Sequence, residues 1–218
     1  MRFAPYAALA ERLLPLVSGG DDGSHDEGHL ARVWANAWVI RMAEGGDGEV
    51  LAASVLLHDC VHVEKSSQLR SQASRLAAER GRGILGELGW AAGRVDAVAH
   101  AIEAHSFSAG IAPETVEARI LQDADRLEAI GAIGVARCFY TAGRMGSALY
   151  DPADPRGERR AFDDRAFAID HFRTKLLTLE GEFQTATGTR LARERTQLLA
   201  DFLAAFEAEI GLEAAASR

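Results

Sequence analysis

Apolar residues recur every three to four positions along most of the chain, which is the spacing of an amphipathic α-helix. Strand-type alternation with β-branched residues is almost absent. Stretches rich in glycine, serine and proline interrupt the pattern and mark loops. The sequence therefore predicts an all-α fold, with one helix running from an N-cap at Ser24 or Asp26 to about Glu44 and others over about 5–17, 49–58, 69–88, 91–104, 114–127, 128–145, 162–179 and 187–210.

The helix predicted over about 49–58 is nearly all apolar and is expected to be central to the fold. Its run from Val50 to Leu57 ends abruptly in His58 and Asp59. Adjacent residues on a helix point about 100° apart, so both side chains reach one pocket only if the helix ends there. An imidazole beside a carboxylate suits divalent Mn, Fe, Ni or Zn. The alternative is a buried histidine followed by a surface aspartate that caps the next turn.

Further candidate ligands lie on two other predicted helices. His25 and His29 are four residues apart on one helical face, with Arg32 one turn beyond, near a helix start that favours an anion. A single helical histidine is more often structural than functional, but this row is less easily explained that way. Asp123 and Asp125 lie late in the helix 114–127 among core-like positions, where carboxylates are costly to bury unless they are paired or bound to metal.

Composition limits the classes of function. The 218 residues are enough for one domain with a substantial core, and the 48% hydrophobic and 26% charged residues are ordinary for a globular protein. The net charge of -8 argues against a nucleic-acid or membrane surface as partner. Two cysteines are too few for a disulfide framework, and no signal-peptide core or long apolar run is visible. We therefore expect a soluble, cytoplasmic protein.

Several motifs together resemble one known family. His29, then His58-Asp59, then Asp125 follow the order of the H…HD…D signature of the HD-domain superfamily of metal-dependent phosphohydrolases. The resemblance extends over about residues 20–205. Within the superfamily, these motifs look like those of the bacterial YedJ-type subgroup. The resemblance implies an HD-domain helical bundle with additional C-terminal helices, as one domain over 1–218 with a core at about 20–145 and an extension at about 160–210. The wider match includes His25-Asp26, Lys65, Arg70, Ser74, His105-Ser106-Phe107-Ser108, the run from Gln122 to Gly134, and Asp170-His171-Phe172.

The resemblance implies one divalent metal ion (Mn, Fe, Ni, Co, Zn or Mg). Asp125 is preferred to Asp123 because the family pattern places the last aspartate directly before Arg-Leu. Of the histidines between the dyad and this aspartate, His100 and His105 are five residues apart and not on one helical face, which disfavours a second metal. The implied metal ligands are His29, His58, Asp59 and Asp125.

The same resemblance suggests residues for catalysis and substrate binding. The catalytic candidates are His25, His105 and Asp59. Arginine and lysine near the ligands would contact phosphate, arginine through a two-pronged hydrogen bond and lysine as a point charge. Their alternative interpretation is that of solvated surface cations. The substrate-binding candidates are Arg32, Lys65, Arg70 and Arg126.

The resemblance implies a metal-dependent phosphohydrolase that cleaves a phosphoester or phosphoanhydride bond in a small phosphorylated metabolite. A nucleotide is the favoured substrate class, with pyrophosphohydrolase and nucleotidase activities both open. The alternative is an HD module that binds metal or nucleotide without turnover, and a further one is a helical scaffold with incidental histidines. The small-residue stretch at 129–136 and the C-terminal helices can form either core or the face of a homodimer.

Overall fold

A computed structural model of the chain describes residues 2–17, 27–61, 63, 70–106 and 109–211. Within these residues the chain is helical, with no β-strand beyond an isolated bridge between Ala148 and Phe167. The all-α prediction is confirmed, and the proposed N-caps at Ser24 and Asp26 lie outside the described residues. The helices are α1 Ala7–Val17, α2 Glu27–Glu44, α3 Gly48–Leu57, α4 Ala73–Glu87, α5 Ala92–His105, α6 Val116–Arg126, α7 Gly131–Met145, α8 Asp170–Thr174 and α9 Ala186–Glu209, with 3₁₀ segments at Arg70–Gln72, Leu127–Ala129 and Leu176–Glu182.

The continuous helix predicted over 162–179 is wrong. The structure has irregular backbone up to Ile169, then the five-residue α8 and the 3₁₀ segment. Asp163 explains part of the difference, because its carboxylate accepts hydrogen bonds from the backbone N–H groups of Arg165 (3.0 Å) and Ala166 (3.1 Å). Asp170 accepts another from the N–H of Asp163 (2.7 Å). These side chains compete with helical hydrogen bonds, which the apolar spacing alone does not reveal.

The structure divides into two compact units. The first contains the residues up to Arg126 together with Gln184–Gly188, and the second contains Leu127–Phe183 and the residues from Thr189 onward. This boundary lies inside the core predicted at about 20–145. The expectation of a single domain stays a prediction.

Helix α3 forms the centre of the first unit. Asp47 caps its start by accepting hydrogen bonds from the N–H groups of Glu49 (2.9 Å) and Val50 (3.1 Å). Every residue from Val50 to Leu57 is buried, and α1, α2, α5 and α6 all contact the helix. A helix that is apolar on all sides requires neighbours on all sides, so its last residue, Leu57, delivers His58 into the interior.

The second unit has an aromatic core. The ring of Phe172 packs against those of Phe139 and Phe202, with centroids 6.0 and 5.6 Å apart, and Phe206 lies 6.1 Å from Phe202. Phe172 is completely buried. Helix α8 has only five residues, so the packing of Phe172 contributes more to its position than its own backbone hydrogen bonds.

None of the described helices combines the length and the apolar character needed to cross a membrane.

Replacing Phe172 by alanine is expected to lower the free energy of unfolding by about 3–5 kcal/mol, because it removes a fully buried ring and leaves a cavity. The matched control is Phe162→Ala in the same unit, where the ring is 41% exposed and the loss should be at most about 1 kcal/mol. Urea unfolding measures both variants. Equal losses would contradict the assigned core.

Candidate metal centre

Three helices of the first unit bring four polar side chains to one point. His29 projects from α2, His58 and Asp59 follow the last residue of α3, and Asp125 lies in the last turn of α6. The Nε2 atoms of His29 and His58 face each other at 3.4 Å. The His29 Nε2 lies 3.5 Å from Asp125 Oδ1 and 3.8 Å from Asp59 Oδ2. The His58 Nε2 lies 3.5 Å from Asp59 Oδ2 and 3.8 Å from Asp125 Oδ1.

These separations suit ligands of a shared cation. Donor atoms bound to one ion at about 2.0–2.2 Å lie about 3 to 4 Å apart. His29, His58 and Asp125 form one group that could hold a metal ion, and His58, Asp59 and His105 form another that shares His58. Imidazole nitrogen and carboxylate oxygen are a donor set for divalent transition metals. The residues therefore fit a divalent ion in both geometry and chemistry.

Hydrogen bonds orient two of the imidazoles. The Nδ1 of His58 pairs with the carbonyl oxygen of Val55 at 2.8 Å, and the Nδ1 of His105 pairs with that of Ile102 at 2.6 Å. A carbonyl only accepts, so Nδ1 carries the proton and Nε2 is left with its lone pair. Both Nε2 atoms are thereby available to bind a cation or to accept a proton.

His105 joins the group through Asp59. Its Nε2 lies 3.9 Å from Asp59 Oδ1, whereas the other oxygen of Asp59 faces His29 and His58. The rings of His105 and His58 pack edge to face with centroids 5.0 Å apart. The two oxygens of Asp59 therefore face different imidazoles.

Burial differs between the two kinds of side chain. The side chains of His29 and His58 are at most 1% exposed, while those of Asp59 and Asp125 are each 32% exposed. The imidazoles thus form the floor of the site, and the carboxylates lie at the side from which a ligand can approach.

The cluster shifts the pKa values of its members. Burial disfavours the imidazolium of His58, but attraction to Asp59 and Asp125 outweighs it and raises the pKa of His58. Burial and the neighbouring His58 lower the pKa of His105. Burial alone would raise the pKa of Asp125, yet the positive charge of His58, His29 and His105 holds it below its usual range. The site strongly favours positive charge next to its carboxylates.

Asp123 lies apart from this cluster. Its buried carboxylate accepts hydrogen bonds from the N–H of Gln184 and of Thr185, both at 2.8 Å, and from the hydroxyl of Thr185 at 2.7 Å. Burial raises the pKa of Asp123 in spite of these hydrogen bonds. The structure places Asp125, and not Asp123, beside the histidines.

The structure describes only some of the arginine and lysine side chains predicted to bind substrate, and it does not describe His25. Arg32 and Arg126 are half-buried and lie on α2 and α6, the helices that carry His29 and Asp125. Arg70 begins the 3₁₀ segment ahead of α4, but its side chain lies outside the described part of the chain, and so do His25 and Lys65. The roles of all five stay predictions.

Comparison with known proteins points to the same four residues. The HD domain family matches residues 27–130, which include His29, the His58-Asp59 dyad and Asp125. HD domains bind a divalent metal through histidine and aspartate side chains. The chain is 32% identical over 202 residues to a protein of Bacillus subtilis named "Uncharacterized protein YpgQ", covering 90% of each chain.

Solved structures that are similar to this chain include an HD-superfamily hydrolase and YpgQ itself. An HD-superfamily hydrolase of Bacillus thuringiensis is 28% identical, with a TM-score of 0.72 over 93% of this chain and 97% of its own. Bacillus subtilis YpgQ in complex with ADP is 30% identical, with a TM-score of 0.70 over 94% of this chain and 100% of its own. The YedJ-type subgroup is not confirmed by these relatives. The chain belongs to the HD-domain family, whose solved members of this type include HD-superfamily hydrolases.

Proposed function

We propose that this protein is a metal-dependent phosphohydrolase with one divalent ion held by His29, His58, Asp59 and Asp125. The observation that carries the proposal is the convergence of their four donor atoms, with separations of 3.4–3.8 Å about both Nε2 atoms. In a five- or six-coordinate site, two imidazoles and two carboxylates would leave room for substrate and water.

When bound, a divalent cation supplies Lewis acidity, which polarises a phosphoryl oxygen and makes water more acidic. Its identity follows from the donor set only as far as a divalent ion of the Mn, Fe, Ni, Co, Zn or Mg group. The positive charge of such an ion also satisfies carboxylates that the fold places side by side in a partly buried setting.

Proton transfer is assigned to His105 and Asp59. The Nδ1–H of His105 donates a hydrogen bond to the carbonyl oxygen of Ile102, so the Nε2 lone pair can take a proton from water. Asp59 lies 3.9 Å away through Oδ1 and stabilises the imidazolium that would form. His25, at the start of the row that contains His29, is the other candidate for this role.

Arginine and lysine side chains would bind the phosphate groups of the substrate. Arg32 and Arg126 lie on the helices that carry His29 and Asp125, and Lys65 and Arg70 follow the His58-Asp59 dyad in sequence. The structure of the related YpgQ with ADP supports a nucleotide as the substrate class for this chain. Both pyrophosphate release from a triphosphate and phosphate release from a monophosphate are compatible with this chemistry.

Hydrolysis of a nucleotide panel in the presence of Mn²⁺, Co²⁺, Ni²⁺, Mg²⁺ or chelator tests the proposal. His58→Ala and Asp59→Ala should each lower metal-dependent turnover by about 100-fold or more, because the site loses a ligand and several kcal/mol of transition-state stabilisation. The control is His100→Ala, whose imidazole accepts a hydrogen bond from the N–H of Glu114 at 3.0 Å and belongs to neither candidate ligand group. It should retain activity within about threefold.

The released product identifies the reaction, as phosphate or pyrophosphate. Wild-type turnover in either ligand variant, with metal bound, would overturn the assigned site. A wild-type protein that binds Mn²⁺ and nucleotide but hydrolyses nothing would instead indicate a binding module.

Manganese binding should weaken as the pH falls. His58 must be unprotonated to bind a metal, and the charge of Asp59 and Asp125 raises its pKa. The proton therefore begins to compete at a higher pH than for an ordinary histidine, and each binding event below that pH releases a proton. Titration calorimetry at several pH values, in buffers of different ionisation enthalpy, measures both effects. Affinity that stays constant from pH 8 to below the ordinary histidine pKa of about 6.5 would contradict this assignment.

A further inference from the structure

Two buried amide side chains each bind the peptide that precedes a residue of the metal centre. Asn36 lies on α2, two turns after His29, and is 8% exposed. Its Nδ2 donates to the carbonyl oxygen of Ala124 at 3.1 Å. Ala124 directly precedes Asp125, so this hydrogen bond joins the helix of one proposed ligand to the peptide next to another.

Gln122 repeats the arrangement on α6. It is 5% exposed, and its Nε2 donates to the carbonyl oxygen of Ala104 at 2.7 Å. Ala104 directly precedes His105, the last residue of α5. One hydrogen bond thus extends from α2 to α6 and the other from α6 to α5.

Both acceptors lie in the last turn of a helix. Carbonyl groups there have no partner within their own helix, and a buried one needs a donor from elsewhere. A side chain that supplies the donor also fixes the plane of that peptide. The plane in turn fixes the direction in which the next residue, Asp125 or His105, projects its side chain.

We propose that Asn36 and Gln122 are positioning residues, with Asn36 setting the position of Asp125 for metal binding and Gln122 setting that of His105 for proton transfer. Neither amide belongs to the candidate ligand groups, so both act through the backbone. The part concerning Gln122 rests on the proposed function, whereas the part concerning Asn36 requires only that the site binds a divalent ion.

The affinity of the purified chain for Mn²⁺, measured by calorimetry, tests Asn36. Asn36→Leu keeps the branched shape and the number of side-chain heavy atoms but removes the donor. It should weaken Mn²⁺ binding by about tenfold or more, as loss of a group that orients a ligand typically does. The matched control is Trp34→Phe on the same helix. This variant also loses a side-chain hydrogen bond to a backbone carbonyl, from Nε1 to Ala4 at 3.2 Å, but no proposed ligand is adjacent to that carbonyl.

Thermal unfolding in chelator separates positioning from general stability. Both variants should lose unfolding temperature, but only Asn36→Leu should lose Mn²⁺ affinity, with Trp34→Phe staying within about twofold of the wild type. An Asn36→Leu protein that unfolds at lower temperature yet binds Mn²⁺ like the wild type would overturn the proposal. If Asn36→Leu does not fold, Asn36→Ser replaces it, because the serine hydroxyl ends one bond length short of the amide nitrogen. Unchanged Mn²⁺ affinity of Asn36→Ser would also overturn the proposal.

Gln122→Leu should leave Mn²⁺ affinity within about twofold of the wild type and KM nearly unchanged, while kcat falls by about tenfold or more because His105 is displaced. A fall in Mn²⁺ affinity with unchanged kcat at saturating metal would overturn the role given to Gln122. Absence of turnover in the wild type would defeat the proposed function and the role of Gln122 together, and the affinity test of Asn36 would stand.

Discussion

The structure depends on a concentration of charge at the end of a buried helix. Helix α3 is apolar on every side and delivers His58 to a point where His29, Asp59 and Asp125 also meet. Carboxylates brought together in a partly buried setting repel each other and lose hydration, and the imidazoles offset this only when they carry positive charge. The raised pKa of His58 and the lowered pKa of Asp125 both reflect this need for positive charge. A divalent cation meets it without a proton, which links the fold to its chemistry.

Helix ends supply the polar groups from which this centre is built. His58, His105 and Asp125 all lie in the last turn of a helix or just beyond it, and in each case a side chain donates a hydrogen bond to a nearby carbonyl oxygen. For His58 and His105 the imidazole binds a carbonyl of its own last turn, and for Asp125 the donor is Asn36 from α2. The groups that a helix end leaves unsatisfied thereby become the means of orienting the site.

The sequence predicted the convergence of these side chains well where candidate ligands and core share one helix. The run Val50–Leu57 followed by His58-Asp59 is visible in the sequence because burial on all sides removes polar residues until the helix ends. Spacing alone left Asp123 and Asp125 open, since both positions are enclosed by core residues. Positions two residues apart on a helix project about 200° apart, so only one of the two aspartates can face the histidines, and the structure places Asp125 there.

Other features could not be predicted from spacing. Asn36 and its acceptor are separated by 88 residues, so no local sequence pattern shows that this amide binds the peptide before Asp125. The predicted helix over 162–179 failed for a different reason, because the carboxylates of Asp163 and Asp170 bind backbone N–H groups that a helix would use. Periodicity reports which side of a segment is apolar, but it does not report which backbone groups a side chain captures.

The anchoring of Gln184 and Thr185 by Asp123 sets a limit on how the HD segment can be isolated. Residues 27–130 carry the family match, yet a chain ending before residue 184 would leave the buried Asp123 carboxylate without the three donors that it now has. A buried carboxylate deprived of its donors is costly, and this one lies two residues from Asp125. Gln184 and Thr185, which lie immediately before α9, therefore support the candidate metal centre, although they lie far outside the matched segment. We expect a shortened form to keep the candidate site intact only if it retains these two residues.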